Sequence, residues 1–384
     1  MPNMSASPVI VVAPDSFKGS LSAQQVGDAI ASGLRRVWPK ADVRVKPLAD
    51  GGEGTLDALL ANRGKRVKLH VRNAAGNPCE AISGVLPDQT AIVETAEIVG
   101  ITDPAGMAIP IEARSTLGLG DAIRSHLDEG ARRILIALGG SSTNDGGAGL
   151  LSALGVRFLD IDDKPLPPSP NAFERIETID VSGLDSRLNG CSLLAMTDVD
   201  NPLCGEHGAS AVFGPQKGAS PRQVKTLDRA LAHFADVLEA ALHKHVRDLP
   251  GAGAAGGLGF ALHALGATFE PGAEVVAAEA GLDEALQGAD WLITGEGRSD
   301  AQTLHGKTPF VACKHATQFG VPASLLSGGL DVSALPQLNQ HFSGCFSPTP
   351  GPMTLEAAIE NAGTLLADGA EQMARLFKAA RVQG

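Results

Sequence analysis

The chain has 384 residues, enough for two domains of ordinary size, each with its own core. A hydrophobic share of 43% and a charged share of 19% mark it as globular, which excludes a disordered chain. The formal net charge of −12 argues against non-specific nucleic-acid binding, which needs a basic surface, but leaves a small anionic substrate open because a few cations can dominate one cleft. The 46 glycines cluster in short loops between apolar runs and follow no Gly-X-Y period, so they mark places where backbone approaches a ligand closely. Five scattered cysteines without a CxxC pair read as small buried residues in a reducing, cytoplasmic setting. Met1 to Pro8 carries no secretory signal pattern, and no apolar run is long enough to span a membrane.

In chain order, Val9 to Ala13 predicts a strand and Pro14 to Ser20 a loop. Ser22 and Gln25 then form a capping box for a helix carrying Val26, Ile30 and Leu34. A strand Val43 to Pro47, the loop Ala49 to Gly54 and a helix from Thr55 to Asn62 complete β-α-β-α, the opening of a doubly wound sheet. Residues 66 to 95 predict short strands with turns at 75–78 and 87–88. Ala113 to Glu129 predicts a helix, Ile134 to Leu138 a buried strand, and Asp162 to Pro170 an exposed connection. Ser220 and Gln223 cap an amphipathic helix through Leu242, which on this reading extends to include His243 and His245. Strands follow at Trp291 to Thr294 and Ala323 to Leu326, with a helix at Pro309 to Phe319 between them. A last helix starts near Thr354, with Leu355, Ile359, Ala362, Leu366, Met373 and Phe377 on one face.

The chemistry lies in the loops. Gly139 to Gly149 follows a strand and precedes a helix; Gly140, Ser141, Ser142, Thr143 and Asn144 offer free amides, hydroxyls and an amide side chain to anionic oxygens, where the plain alternative is a tight turn. It is not the dinucleotide GxGxxG fingerprint. Gly306-Lys307-Thr308 imitates the end of a Walker A loop, but Ala301 stands where its first glycine belongs, so the P-loop pattern fails. Arg298 can clamp a carboxylate or phosphate bidentately. Asp15, Ser16 and Lys18 follow the first strand, at the sheet edge where open α/β folds bind ligands. Asp198 and Asp200 follow another strand and suit Mg²⁺, a hydroxyl proton or a turn; without Gly at 203 or Glu at 209 they are no EF-hand. Lys217 lies between glycines, and Gly256 and Gly257 end a run that fits either under a nucleotide or in an interdomain joint.

Taken in order, APDSFKGSLSA (13–23), LADGGEGT (48–55), ALGGSSTNDGGAG (137–149), TDVDNPLCG (197–205), VFGPQKGA (212–219), GAGAAGG (251–257) and TGEGRSDAQTLHGK (294–307) resemble the type I glycerate kinase family. Ser299 and Ala301 stand where that family often has Ile and Ser, and Leu117 and Leu119 alter a loop usually read Gly-Thr-Gly.

The resemblance implies a flavodoxin-like α/β domain formed by 1–66 and 287–384, a second α/β domain inserted at 67–286, and an active site in the cleft between them. It implies ATP-dependent phosphorylation of D-glycerate, commonly at the 2-hydroxyl, with Mg²⁺. Asp198 is the expected base, with Asp200 as runner-up and a metal candidate. Lys18 is expected to stabilise the phosphoryl group, and Arg298 to hold the carboxylate. Asp15, Ser16, Gly51, Gly52, Gly140, Ser141, Ser142, Thr143, Asn144, Lys217, Gly256, Gly257, Thr303 and Lys307 are expected to bind substrate or phosphate, and Asp50, Asp145 and Glu296 to serve Mg²⁺. The expected partners are glycerate and ATP, with neither nucleic acid nor membrane, and a homodimer as the assembly kept open. A kinase for another short hydroxy acid and a non-catalytic organic-acid-binding protein are the rival readings.

Overall fold

The computed structural model describes residues 7–61 and 63–383. The chain divides into two compact units. The first takes in the described residues of Met1–Asp50, Asp57–Asn62 and Pro271–Gly384; the second is Gly51–Leu56 with the described residues of Arg63–Glu270.

The first unit is built on a parallel five-stranded sheet in the order Gly344–Phe346, Ala323–Leu326, Trp291–Thr294, Val9–Val12, Asp42–Val45. That is the flavodoxin-like order, and the sequence reading of the fold class stands. Val9–Val12 is a continuous apolar run because it is central, with Ile10, Val11 and Val12 fully buried. The helix Ala23–Val37 begins at the expected capping box: Gln25 N–H donates to Ser22 Oγ at 3.3 Å, and Ser22 N–H to Gln25 Oε1 at 2.9 Å. It buries Val26, Ile30 and Leu34 in a cluster with Leu366, Ala370 and Met373 of the helix Ala362–Gln383. Arg44 donates to the carbonyls of Ala285 and Gln287, and Lys46 to that of Ala280. These bonds tie the helices Gly272–Glu279 and Leu282–Leu286 to the edge strand of this sheet.

The second unit carries a six-stranded sheet ordered Thr268–Glu270, Ser192–Met196, Arg133–Ala137, Ala91–Glu94, Pro78–Val85, Lys65–Arg72. The first four are parallel and the last two close as antiparallel arms. Its core holds Phe158, Phe173, Phe234 and Phe260, with Phe173 and Phe234 stacked at 4.6 Å between ring centroids. The helix Pro221–Leu242 supplies Phe234 and starts at the expected Ser220–Gln223 box.

Several local expectations need correction. His243 ends the helix Pro221–Leu242 in a left-handed conformation at φ 51°, so His243 and His245 share no helix. The helix expected from Ala113 begins at Leu117, after a single 3₁₀ turn at Ile111–Ala113; Leu117 and Leu119 therefore lie in a helix Leu117–Asp128, not a loop. Within 162–170, Pro165–Leu166 pairs with Arg157–Leu159, and Leu166 is buried, so that stretch is no simple exposed connection. The last helix is two helices, Leu355–Glu360 and Ala362–Gln383, and Leu355 and Ile359 are exposed and do not continue the buried face. The helix from Thr55 spans Thr55–Leu60; its expected end, Asn62, lies outside the described residues, as do residues 1–6 of the N-terminal stretch. Among the described residues no helix is long and apolar enough to cross a membrane.

Candidate active site

In the first unit the chain runs from Val9–Val12 to one side, into Asp42–Val45, and returns on the other side as Trp291–Thr294. Loops leaving neighbouring strands in opposite directions open a crevice at the carboxyl ends of the strands. A cavity of about 780 Å³ lies there. It is lined by Asp15, Ser16 and Lys18 after the first strand, by Glu296 and Arg298 after Trp291–Thr294, and by Asp50 and Lys307. The two loops are joined where Asp15 N–H donates to Gly295 O at 2.8 Å. Leu355, Ile359 and Leu365 give the cavity an apolar side.

Asp15 is buried and accepts from Ser16 N–H at 2.6 Å and from Thr308 Oγ1 at 2.8 Å. Burial, reinforced by the charge of Asp50, pushes its carboxyl up to about 7, against the lowering effect of the Thr308 and Ser16 hydrogen bonds and of Lys18. Glu296 is also buried. Its Oε1 accepts from Ser299 Oγ at 3.0 Å and Thr303 Oγ1 at 2.7 Å, and Lys307 Nζ stands 3.8 Å from Oε2. Burial raises the Glu296 carboxyl, offset in part by Thr303, Lys307 and Ser299. Thr303 is thus a support for Glu296, held in the 3₁₀ turn Ala301–Leu304 that Asp300 caps. Ser299, where the resembled family often has Ile, is fully buried and bridges Glu296 to Ser327 Oγ at 2.8 Å. Lys18 and Arg298 are exposed at the cavity, so their cationic heads are accessible to a ligand.

In the second unit, Arg133–Ala137 and Ser192–Met196 are neighbours, and the loops past their ends line a smaller cavity of about 160 Å³. Gly139, Gly140, Ser141, Thr197 and Lys217 lie on it. Lys217, expected in a loop between glycines, is buried with its Nζ 2.8 Å from Ser141 Oγ and 2.7 Å from Thr143 O. Burial lowers its ammonium to about 7, with Asp145 opposing that shift. Gly51 accepts from Gly139 N–H at 3.2 Å, and a Cβ on Gly139 would stand 2.5 Å from Gly52 Cα, so both glycines back this loop.

Two residues of this loop expected to bind ligand or metal are engaged by the fold itself. Asp145 is fully buried, and its carboxylate accepts from Thr116 N–H, Thr116 Oγ1, Gly147 N–H and Gly149 N–H at 2.8–3.2 Å. It anchors the loop to the start of the helix Leu117–Asp128. Ser142 donates through Oγ and N–H to Val99 O, both at 2.8 Å, and faces the fold interior. Thr143 and Asn144 are buried too; Asn144 Nδ2 donates to Ser210 Oγ at 2.9 Å. Gly256 and Gly257 follow Ala255 in a left-handed run, and a Cβ on Gly256 would lie 2.0 Å from Thr143 O. Their glycines therefore permit close packing under the loop. Asp198 and Asp200 are exposed just past Ser192–Met196.

Among the described residues no group of three or more His, Cys, Asp or Glu side chains converges as a metal cluster. The residues missed by sequence reasoning are supports. Thr308, in the sequence only the end of a false Walker pattern, donates to Asp15. Glu94 accepts from Gly54 and Leu56 N–H, and Arg114 lies buried behind the glycine loop; as a lone Glu at a strand end and a lone Arg in a turn, neither carried a pattern.

Residues 10–378 match the model of the glycerate kinase family. A glycerate kinase of Bacillus subtilis (strain 168) is 42% identical over 380 residues, 97% of this chain and 98% of that protein. A glycerate 2-kinase of Escherichia coli (strain K12) is 41% identical over 364 residues, covering 92% and 93% of the two chains. A crystal structure described as glycerate kinase 2 from Salmonella typhimurium LT2 superposes with a TM-score of 0.88 at 41% identity, covering 98% of this chain and all of that one. A flavodoxin-like sheet order, loops that gather cations and buried carboxylates at its carboxyl edge, and full-length similarity to these kinases together establish that this chain is an enzyme belonging to the glycerate kinase family.

Proposed function

We propose that the protein phosphorylates D-glycerate at the 2-hydroxyl with ATP, giving 2-phosphoglycerate and ADP. The observation that carries this reading is the first unit's cavity at the sheet's switch point, where Lys18, Arg298 and Lys307 meet Asp15, Asp50 and Glu296. Phosphoryl transfer asks mainly for positioning and for neutralised charge, which such a set supplies. The relative from Escherichia coli, named a glycerate 2-kinase, supports the 2-position.

On this reading Asp198 accepts the proton of the 2-hydroxyl as its oxygen bonds to the γ-phosphorus, and the bond from that phosphorus to the β–γ bridging oxygen breaks. Lys18 neutralises the transferring phosphoryl group, and Arg298 holds the glycerate carboxylate in a bidentate grip. Asp15 and Asp50 fit Mg²⁺: one carboxyl is buried and raised by the other's charge, and a divalent cation would relieve both. When bound, the ion would offset the negative charge of the phosphate oxygens. The unpaired cysteines support a reducing, cytoplasmic setting.

The test is incubation with ATP and Mg²⁺ against D-glycerate, tartronate and lactate, with the phosphorylated carbon read by NMR. The expected product carries phosphate on C2 of glycerate. Phosphate on C3, or preference for another acid, overturns the assignment, and no product from any acid favours a binding protein.

A further inference from the structure

The small cavity of the second unit is lined by hydrogen-bond donors and apolar groups, and no carboxylate lies on it. Lys217 has three N–H donors, of which two go to Ser141 Oγ and Thr143 O. The third remains for a guest. An ammonium cannot accept, so Ser141 Oγ is the acceptor in that pair and its own O–H is left to donate elsewhere. The backbone N–H groups of Gly140 and Ser141 meet no protein acceptor among the described residues.

Arg114 stands behind the same loop. It is only 4% exposed, yet its guanidinium donates solely to carbonyls, those of Ser142 at 3.1 Å, Lys217 at 2.9 Å, Ile109 at 3.1 Å and Met107 at 3.5 Å. Those bonds turn the Ser142 and Lys217 carbonyls toward the guanidinium. Asp145 is the buried carboxylate of this region, and its own bonds go to Thr116, Gly147 and Gly149. Burial works against both cations; Asp145 offsets it for Lys217 and Glu112 for Arg114. Buried cations stay costly unless further hydrogen bonds and opposite charge reach them, and an anion in the cavity would add both.

We propose that this cavity is an oxyanion site taking one phosphate or carboxylate group of a substrate, held by Lys217, the Ser141 hydroxyl and the N–H groups of Gly140 and Ser141, with Arg114 as the positioning residue. The inference rests on the kinase reading for the identity of its ligand. A volume of about 160 Å³ admits one phosphate group or a three-carbon acid and excludes a whole nucleotide.

The test titrates the full-length protein calorimetrically with inorganic phosphate, with ATP and with D-glycerate, comparing wild type, Lys217→Gln, Ser141→Ala and Arg114→Lys. Lys217→Gln is expected to weaken phosphate by about tenfold or more, the scale of a hydrogen bond to a charged group. It weakens ATP if the site belongs to the nucleotide, or D-glycerate if it belongs to the acid, and leaves the other substrate unchanged. Arg114→Lys, which keeps the charge but loses the fork, weakens the same ligand and spares the other, a selectivity that a merely structural role would not give. A folded Lys217→Gln that binds all three as wild type does overturns the proposal. Should that variant not fold, unchanged binding of all three by Ser141→Ala overturns it equally. The two readings fail separately: phosphorylation of glycerate with unaltered KM values in Lys217→Gln sinks the site alone. Loss of phosphate binding in that variant, with no acid phosphorylated by the wild type, sinks the kinase reading alone.

Discussion

Burial holds the Asp15 carboxyl well above its ordinary range, and the Asp50 charge adds to that. An aspartate that ionises near 3.8 in the unfolded chain and near 7 in the folded one keeps its proton longer when folded. Its contribution to stability is therefore present below about pH 3.8 and is lost as pH rises through 7. Asp15→Asn removes that loss. Its melting temperature should exceed the wild type's at pH 8 by roughly 2 °C or more and match it at pH 4; equal values at pH 8 would show that Asp15 ionises without penalty. The proposed roles of Asp198 and Arg298 separate kinetically. Asp198→Asn should lower kcat by about 10² or more with the glycerate KM little changed, whereas Arg298→Ala should raise the glycerate KM by about tenfold or more and spare that of ATP. A kcat within tenfold of wild type for Asp198→Asn removes it as the base. Charged residues at strand ends were legible in the sequence because their types announce chemistry. Burial was not: Ser142 and Asp145 look like ligand groups until their partners, Val99 and Thr116, are brought up by the fold.

At the scale of elements, the caps and apolar spacing of Ala23–Val37 and Pro221–Leu242 were readable because both are set within a few residues of chain. The strand Pro165–Leu166 forms by pairing with Arg157–Leu159, and the left-handed run at Ala255 to Gly257 lies against the Thr143 loop, so neither conformation follows from its own residues alone. Gly33 shows the same dependence. It lies in Ala23–Val37, where alanine would raise helix propensity by about 1 kcal/mol. Yet a Cβ there would stand 2.0 Å from the Ala367 carbonyl oxygen of Ala362–Gln383. That oxygen belongs to backbone and cannot move alone, so overpacking, about 1–3 kcal/mol, outweighs propensity. Gly33→Ala should lower the melting temperature, while Gly363→Ala, with nothing within 4 Å of its added Cβ, should hold or raise it. A rise for both would mean that the two helices adjust freely.

For the molecule as a whole, the flavodoxin-like order was legible as a repeated strand-loop-helix grammar at both ends of the chain, although its central pair, Val9–Val12 and Trp291–Thr294, are joined through the entire second unit. Each unit has its own sheet and its own apolar cluster: Ile10, Ile30, Trp291 and Leu366 in the first, Ile134, Phe158, Phe234 and Leu258 in the second. Separate cores allow separate opening, because a local defect raises the population of the open form only in the cooperative unit that contains it. Native-state hydrogen exchange of Gly33→Ala should therefore quicken at the amides of Val9–Val12 and Trp291–Thr294 and stay at wild-type rates in Arg133–Ala137 and Ser192–Met196. Equal acceleration in both sheets would mean that the chain opens as one body. In that case the stability of either cavity could not be tuned without the other.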